Sequence, residues 1–123
     1  MDARRTLAVA GLLLALATAF GAFGAHALKG QLQPDRLQVY ETAVRYQFFN
    51  SLGLLGVGLA LRSLDASFLR WAALLLLVGI ILFSGSLYGL TFGAPRIVGA
   101  VTPVGGVVLI AGWLWFALGF LRL

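Results

Sequence analysis

Four long apolar segments, separated by short polar connections, make up most of this chain of 123 residues. A helix needs roughly 20 mostly apolar residues to cross the hydrocarbon core of a bilayer. Each segment reaches about that length, and none shows the strict alternation of a strand in a membrane barrel. Because lipid cannot satisfy backbone polar groups, helices are the spanning elements that fit. The pattern predicts transmembrane helices at Thr6–Leu28, Thr42–Leu61, Trp71–Leu90 and Pro103–Leu121.

The predicted fold is therefore an all-α membrane protein, in which residues 1–123 form a single four-transmembrane-helix bundle with short loops. Only 11% of the residues are charged and 61% are hydrophobic, which is far from the composition of a soluble domain. The net charge of +5 does not indicate nucleic-acid binding, because the basic residues fall at segment ends and in loops, where they meet lipid headgroups. Membrane lipid is the expected partner.

The first segment also has features of a secretory signal. Arg4 and Arg5 precede it, and Ala25-His26-Ala27 has the small-x-small form of a cleavage site. A signal's apolar region covers about 7–15 residues, however, whereas this one continues for about 20. We expect a retained helix.

Four spans place both termini on one side of the membrane. Arg4 and Arg5 flank the first helix, which usually dominates orientation, and this predicts cytoplasmic termini. The basic residues divide five against four between the two sides, so dual topology stays a minor alternative. The aromatic residues predict two interfacial belts, with the tryptophans toward the terminal side and the tyrosines toward the other. These belts contain Trp71, Trp113 and Trp115, and Tyr40, Tyr46 and Tyr88.

The second segment is the most polar of the four. Pro34 and Asp35 predict that its helix begins ahead of the membrane. If the span starts at Thr42, Arg45 lies about 4–5 Å below the surface. Glu41 and Arg45 are one turn apart and are expected to form an ion pair. Tyr46 with Asn50 and Gln47 with Ser51 occupy two further faces, which indicates that protein surrounds this end of the helix.

Small residues predict where other helices approach closely. Gly85, Gly89 and Gly93 repeat every four residues in the third segment, as in small-xxx-small interfaces. At the fourth segment, Thr102-Pro103 reads as an N-cap followed by the first helical residue. The apolar residues before it leave a second possibility, in which the helix begins earlier and Pro103 kinks it.

The polar side chains of the four segments gather on the predicted non-cytoplasmic side. They form either a hydrogen-bonded plug that fixes helix packing, which we favour, or a ligand-binding site. One histidine without any cysteine is a poor metal-ligand set, so neither a metal nor another cofactor is expected. The candidate cluster consists of His26, Glu41, Arg45, Gln47, Asn50, Ser84, Tyr88 and Thr102.

Several motifs of the chain resemble the YgdD-like family of small bacterial inner-membrane proteins, a domain of unknown function. The resemblance implies a four-helix protein of the bacterial inner membrane, and it implies no established activity. Asn50 stands where the family pattern often has a histidine. The motifs are Gly21 to Lys29, Tyr40 to Gln47, Leu82 to Tyr88, Thr102 to Gly106, and Gly112-Trp113.

The expected function is a non-enzymatic bundle that packs against lipid, a second copy of itself or another membrane protein. The alternative is a small homo-oligomeric transporter or channel for a small solute or ion. An enzyme is not expected, because no complete set of acid, base and nucleophile can be assembled.

Overall fold

The computed structural model describes all of residues 1–123, and every regular element in it is helical. This confirms the predicted all-α class. Three helical segments are long and apolar enough to cross a membrane, Ala3–Leu28, Ser67–Thr91 and Arg96–Leu121. The helices are α1 at Ala3–Phe23, continued by a π-helical turn at Gly24–Leu28; α2 at Pro34–Ser63; α3 at Ser67–Thr91; and α4 at Val101–Leu121, preceded by a 3₁₀ turn at Arg96–Ala100.

Helix α2 runs without interruption for 30 residues and begins at Pro34, as the sequence predicts. Proline suits the first helical turn because its missing N–H would have no partner there, and Asp35 complements the helix dipole. The many polar residues of α2 explain why it is absent from the group of strongly apolar helices, although it is the longest of all.

The spatial order of the helices follows their order along the chain, with the main contacts between α1 and α2, α2 and α3, and α3 and α4. Consecutive helices run antiparallel. At one end of the first pair Tyr40 lies against Gly24, and at the other end Gly58 lies against Leu7. Helix α2 therefore lies alongside α1 over nearly the whole length of α1.

An apolar core fills the middle of the bundle, and apolar side chains also cover much of its outside. Only Gly105, Leu109 and Gly112 of α4 are buried. Val107 and Ile110 on the same helix are 65% and 61% exposed. Exposed apolar faces of this extent are typical of a surface that meets lipid. The buried core consists of Ala10, Leu54, Val57, Leu61, Leu69, Ala73, Leu76, Ile80 and Leu109.

The predicted glycine interface on α3 is wrong. A Cβ atom on Gly85 would meet nothing within 4 Å, so no helix approaches there. Gly93 lies beyond the end of α3 with a φ of +96°, and Ala94 N–H donates to the Gly89 carbonyl at 2.9 Å. This is the geometry of a glycine C-cap, in which left-handed backbone lets the last carbonyls of the helix be satisfied. On the surfaces where α3 and α4 meet, the glycines in close contact include Gly79 of α3, against Leu109, and Gly105 of α4, against the backbone of Phe83.

Helix α4 has the earlier of the two predicted starts, ahead of Pro103. Its N-cap is Ala100 rather than Thr102, and Pro103 lies inside the first turn, where a missing N–H costs little. The 3₁₀ turn at Arg96–Ala100 continues the chain into α4 and takes up the apolar residues ahead of Pro103. Thr102 is free to bond elsewhere, and its hydroxyl pairs with that of Ser86 at 2.5 Å.

Candidate functional site

A polar network joins α1, α2 and α3, and Gln47 is at its centre. The Gln47 amide nitrogen donates to the Leu13 carbonyl of α1 at 2.9 Å. The Tyr88 hydroxyl of α3 donates to the Gln47 amide oxygen at 2.6 Å. Gln47 is only 3% exposed, so both bonds are shielded from competing partners. One side chain of α2 thus connects both of its neighbouring helices.

Tyrosine and phenylalanine rings pack above this bridge. The Tyr40 ring makes edge contacts with the rings of Tyr88 and Phe92, at centroid distances of 5.6 and 6.1 Å. Phe20 of α1 contacts the Tyr88 ring at 5.2 Å, and its carbonyl accepts a hydrogen bond from the Tyr40 hydroxyl. Edge-to-face packing of this kind adds to the stability that burial gives.

Asn50 extends the polar contacts toward α4. Its amide nitrogen donates to the Tyr46 carbonyl, and its amide oxygen accepts from the Trp113 indole N–H, both at 3.0 Å. A mainly apolar cleft of about 490 Å³ lies between α2 and α4 beside this pair, with Phe83 and Ile110 among its walls. Of all the cluster residues, Asn50 is the one that borders this cleft.

Two hydroxyl groups of α3 complete the polar contacts. Ser84 donates to the Ala43 carbonyl of α2 at 2.8 Å. Ser86 bonds to Thr102, and so connects α3 to the beginning of α4. Interhelical hydrogen bonds from small hydroxyl side chains are a common means of fixing membrane helices together. Of the predicted cluster, the structure brings five residues into such contacts: Gln47, Asn50, Ser84, Tyr88 and Thr102.

The other three predicted residues, His26, Glu41 and Arg45, lie outside this network and are exposed. The expected Glu41–Arg45 ion pair is wrong, because the one salt bridge of the chain joins Arg70 to Asp65. The cause is the rotation of α2, whose face with Tyr40, Gln47 and Leu54 is turned into the bundle. This leaves Glu41 and Arg45 on the outer side, and protein does not surround this end of the helix completely.

Two contributors to the network were assigned to other roles by the sequence. Tyr40 and Trp113 were predicted as belt residues, yet Tyr40 is 3% exposed and Trp113 bonds to Asn50. Tyr40 precedes Gln47 by seven residues, a spacing that places both on one helical face and would have indicated its burial. No such signal existed for Trp113, because its partner is on another helix.

The chemistry of this arrangement is hydrogen bonding between neutral groups. The cluster offers amides, hydroxyls and an indole N–H, and their partners are main-chain carbonyl groups or one another. No group of three or more His, Cys, Asp or Glu side chains lies together in a way that would hold a metal ion. The site is thus suited to holding helices in register.

The fold and its lipid-suited surface define a class, the multi-pass helical membrane proteins. Comparison with known proteins narrows this class. The profile of a family described as "Protein of unknown function (DUF423)" matches residues 20–106, and the chain belongs to this family.

Named relatives agree with that assignment and indicate the bacterial inner (plasma) membrane as the location. The UPF0382 inner membrane protein YgdD of Escherichia coli K12 is 37% identical over 123 residues, which cover all of this chain and 94% of YgdD. A UPF0382 membrane protein of Staphylococcus saprophyticus is 43% identical over 88% of this chain and 89% of its own length. Another, from Staphylococcus haemolyticus, is 47% identical over 76% of each chain. No solved structure matches the chain.

Proposed function

We propose that the protein is a non-enzymatic bundle of four transmembrane helices with cytoplasmic termini, in which the polar network fastens the helices in the non-cytoplasmic leaflet. The observation that carries this proposal is the position of Gln47, which bonds to α1 and α3 at once. A side chain whose amide groups are bonded to neighbouring helices acts in packing.

The connectivity of the helices supports α2 as the fourth span. Helices α1 and α3 are both apolar enough to cross, and both run antiparallel to α2. The chain leaves α1 at one end of the bundle and enters α3 at the other, so α2 must return it across the same thickness. Its 30 residues correspond to about 45 Å, more than the roughly 30 Å that the hydrocarbon core requires.

Burial makes this polar helix acceptable in a membrane. Gln47 and Asn50 are 3% and 7% exposed, so neither amide faces lipid. Polar residues within membrane spans ordinarily turn toward the bundle interior in this way. The low hydropathy of α2 is thus compatible with a span, because its amide side chains are turned away from lipid.

The packing below the network favours this role over transport. Leu54, Val57 and Leu76 are almost completely buried on the side of the network nearer the chain termini. A pathway for an ion or polar solute needs polar groups or water along its length. Apolar side chains occupy that space between the helices. A transporter or channel is the alternative function, which the following experiment tests.

The test replaces Asn50, the cluster residue beside the large cleft, with leucine. If the network serves packing, Asn50→Leu lowers the melting temperature, because Trp113 N–H loses its acceptor at a cost of about 1–3 kcal/mol. Any stabilisation by added lipids, quinones or small cations then stays the same in the variant and the wild type. A compound that stabilises the wild type in a concentration-dependent way, and has no effect on Asn50→Leu, would instead show that the cluster binds a ligand.

A further inference from the structure

Two opposite charges on the outer face of α2 are left without a partner. Glu41 and Arg45 are one helical turn apart and exposed, and no salt bridge joins them. Both line a cleft of about 190 Å³ between α1 and α2, whose other wall is formed by small residues of α1 and the π-helical turn. Those residues are Gly21, Gly24 and Ala25.

Neighbouring helices show how deep Arg45 lies. The adjacent Val44 packs against Gly21, and the Tyr46 ring contacts the Phe83 ring at 4.9 Å. Gly21 precedes the end of its helical segment at Leu28 by seven residues, or about 10 Å. The backbone of Arg45 thus lies about 10 Å inside the end of that segment, and Glu41 lies one turn nearer to this end.

A charged group at such a depth requires either a partner or a route to the interface. Lone charges within membrane spans are costly, and long side chains reduce the cost by extending toward the headgroups. Arg45 lines the cleft without an ion pair to Glu41, whose turn lies nearer to the interface. The cleft then presents a cation on its inner side and an anion on its outer side.

The remainder of this face is apolar. Phe49 and Leu52 follow Arg45 by one and two turns, and they are 59% and 53% exposed. From the interface inward, α2 therefore presents an acid, a base and an apolar strip. A phospholipid with an amine headgroup has the complementary order in the same leaflet: an outer ammonium, a deeper phosphate and then acyl chains.

From this order we infer that the cleft binds one zwitterionic phospholipid carrying a primary ammonium group, of the phosphatidylethanolamine type. Arg45 donates to the phosphate oxygens, and Glu41 accepts from the ammonium group. The cleft of about 190 Å³ beside these small residues has room for the headgroup. This inference rests on the proposed crossing of the membrane by α2, and it assigns a lipid to a face that the packing network does not use.

The experiment measures the melting temperature of the detergent-solubilised full chain during titration with phosphatidylethanolamine, phosphatidylcholine or phosphatidylglycerol of identical acyl chains. We expect phosphatidylethanolamine to stabilise the wild type at lower concentration than the other two lipids. Glu41→Gln removes one charge-assisted contact. It should weaken the apparent affinity for phosphatidylethanolamine by about tenfold, toward the affinity for phosphatidylcholine. Arg45→Gln weakens the binding of both zwitterionic lipids.

The exchange Glu41→Arg/Arg45→Glu is the sharpest variant, because it keeps both charges and reverses their order. It should lose the preference for phosphatidylethanolamine. Arg36→Gln removes a charge from the same helix outside the cleft and should keep that preference. Gln47→Leu should lower the melting temperature and keep the preference for phosphatidylethanolamine as well. This variant separates a failure of the network from a failure of the lipid site.

Equal responses of the wild type to all three lipids would overturn the inference, and so would an unchanged preference in Glu41→Gln. If Arg45→Gln does not fold, Glu41→Gln and the exchange variant decide the question. If the wild type shows no lipid preference and forms a dimer that Arg45→Gln dissociates, this face contacts a second copy of the chain. That outcome would also overturn the inference.

Discussion

Neighbouring polar residues of α2 have different roles because helix rotation separates them. Gln47 is buried and bonded on both sides, whereas Arg45, two positions earlier, is exposed. Ser51 lies one turn beyond Gln47 on the buried face, and its hydroxyl is completely buried without a hydrogen-bond partner. Two residues on one face thus differ in whether their polar group contributes to stability.

At this scale we predict that Gln47→Leu destabilises the protein. The substitution removes contacts that are worth roughly 0.6–2 kcal/mol each between membrane helices, and it leaves the Tyr88 hydroxyl without its acceptor. Tyr88→Phe should cost less, and the double variant should be more stable than the sum of the two single losses predicts. Reversible unfolding in mixed micelles would measure these differences.

Ser51→Ala is the matched control for this prediction. It removes a buried polar group that makes no hydrogen bond, so stability should remain constant or rise. The assignment of the network would be contradicted if the stability losses of Gln47→Leu and Tyr88→Phe add up in the double variant. A clear loss of stability in Ser51→Ala would contradict it as well.

At the scale of the helix, the effect of a glycine depends on what faces it. Gly105 allows α4 to reach the backbone of α3, since a Cβ atom there would lie 2.8 Å from the Cα of Phe83. Gly85 on α3 faces open space, and Gly93 serves to end that helix. A repeat of glycines therefore indicates a helix interface only if a second helix lies against it.

We accordingly expect Gly105→Ala to separate α3 from α4. Backbone atoms cannot move aside as the end of a side chain can, and overpacking of this kind costs typically 1–3 kcal/mol. Gly85→Ala should leave the melting temperature unchanged or raise it slightly, because alanine favours the helix and meets no neighbour. Equal destabilisation by both substitutions would restore the glycine interface predicted on α3.

The arrangement of the whole molecule depends on α2, which lies between α1 and α3 and returns the chain across the bundle. The exposed faces of α1 and α4 are apolar, and most buried polar side chains lie on α2 and α3, each of which has helices on two sides. Hydropathy alone thus gives three crossing segments, and the fourth span that we propose is α2, because it connects two of them.

Cysteine labelling tests this arrangement. We expect Gln33→Cys and Ser63→Cys, at the two ends of α2, to react from opposite sides of the membrane, and Ala3→Cys to react from the same cytoplasmic side as Ser63→Cys. Membrane-impermeant maleimide applied to intact cells and to inverted vesicles would measure this. Reaction of both α2 positions from one side would contradict the fourth span, and reaction of each from both sides would establish dual topology.

The sequence alone determined the class of the protein and the extent of most helices. Apolar length is a local property, and it identified the segments that became α1, α3 and α4. The start of α2 at Pro34 also followed from local chemistry, because proline and Asp35 suit a first helical turn whatever lies nearby.

Only the tertiary structure decided which polar residues meet. Gln47 finds its partners on two other helices, and the acceptor on α1 is a backbone carbonyl that no side-chain pattern reveals. Glu41 and Arg45 have the spacing of a pair, yet the rotation of α2 that buries Tyr40 and Gln47 leaves them outside. Local spacing fixes which residues share a helical face, whereas the packing of the neighbouring helices fixes where that face points.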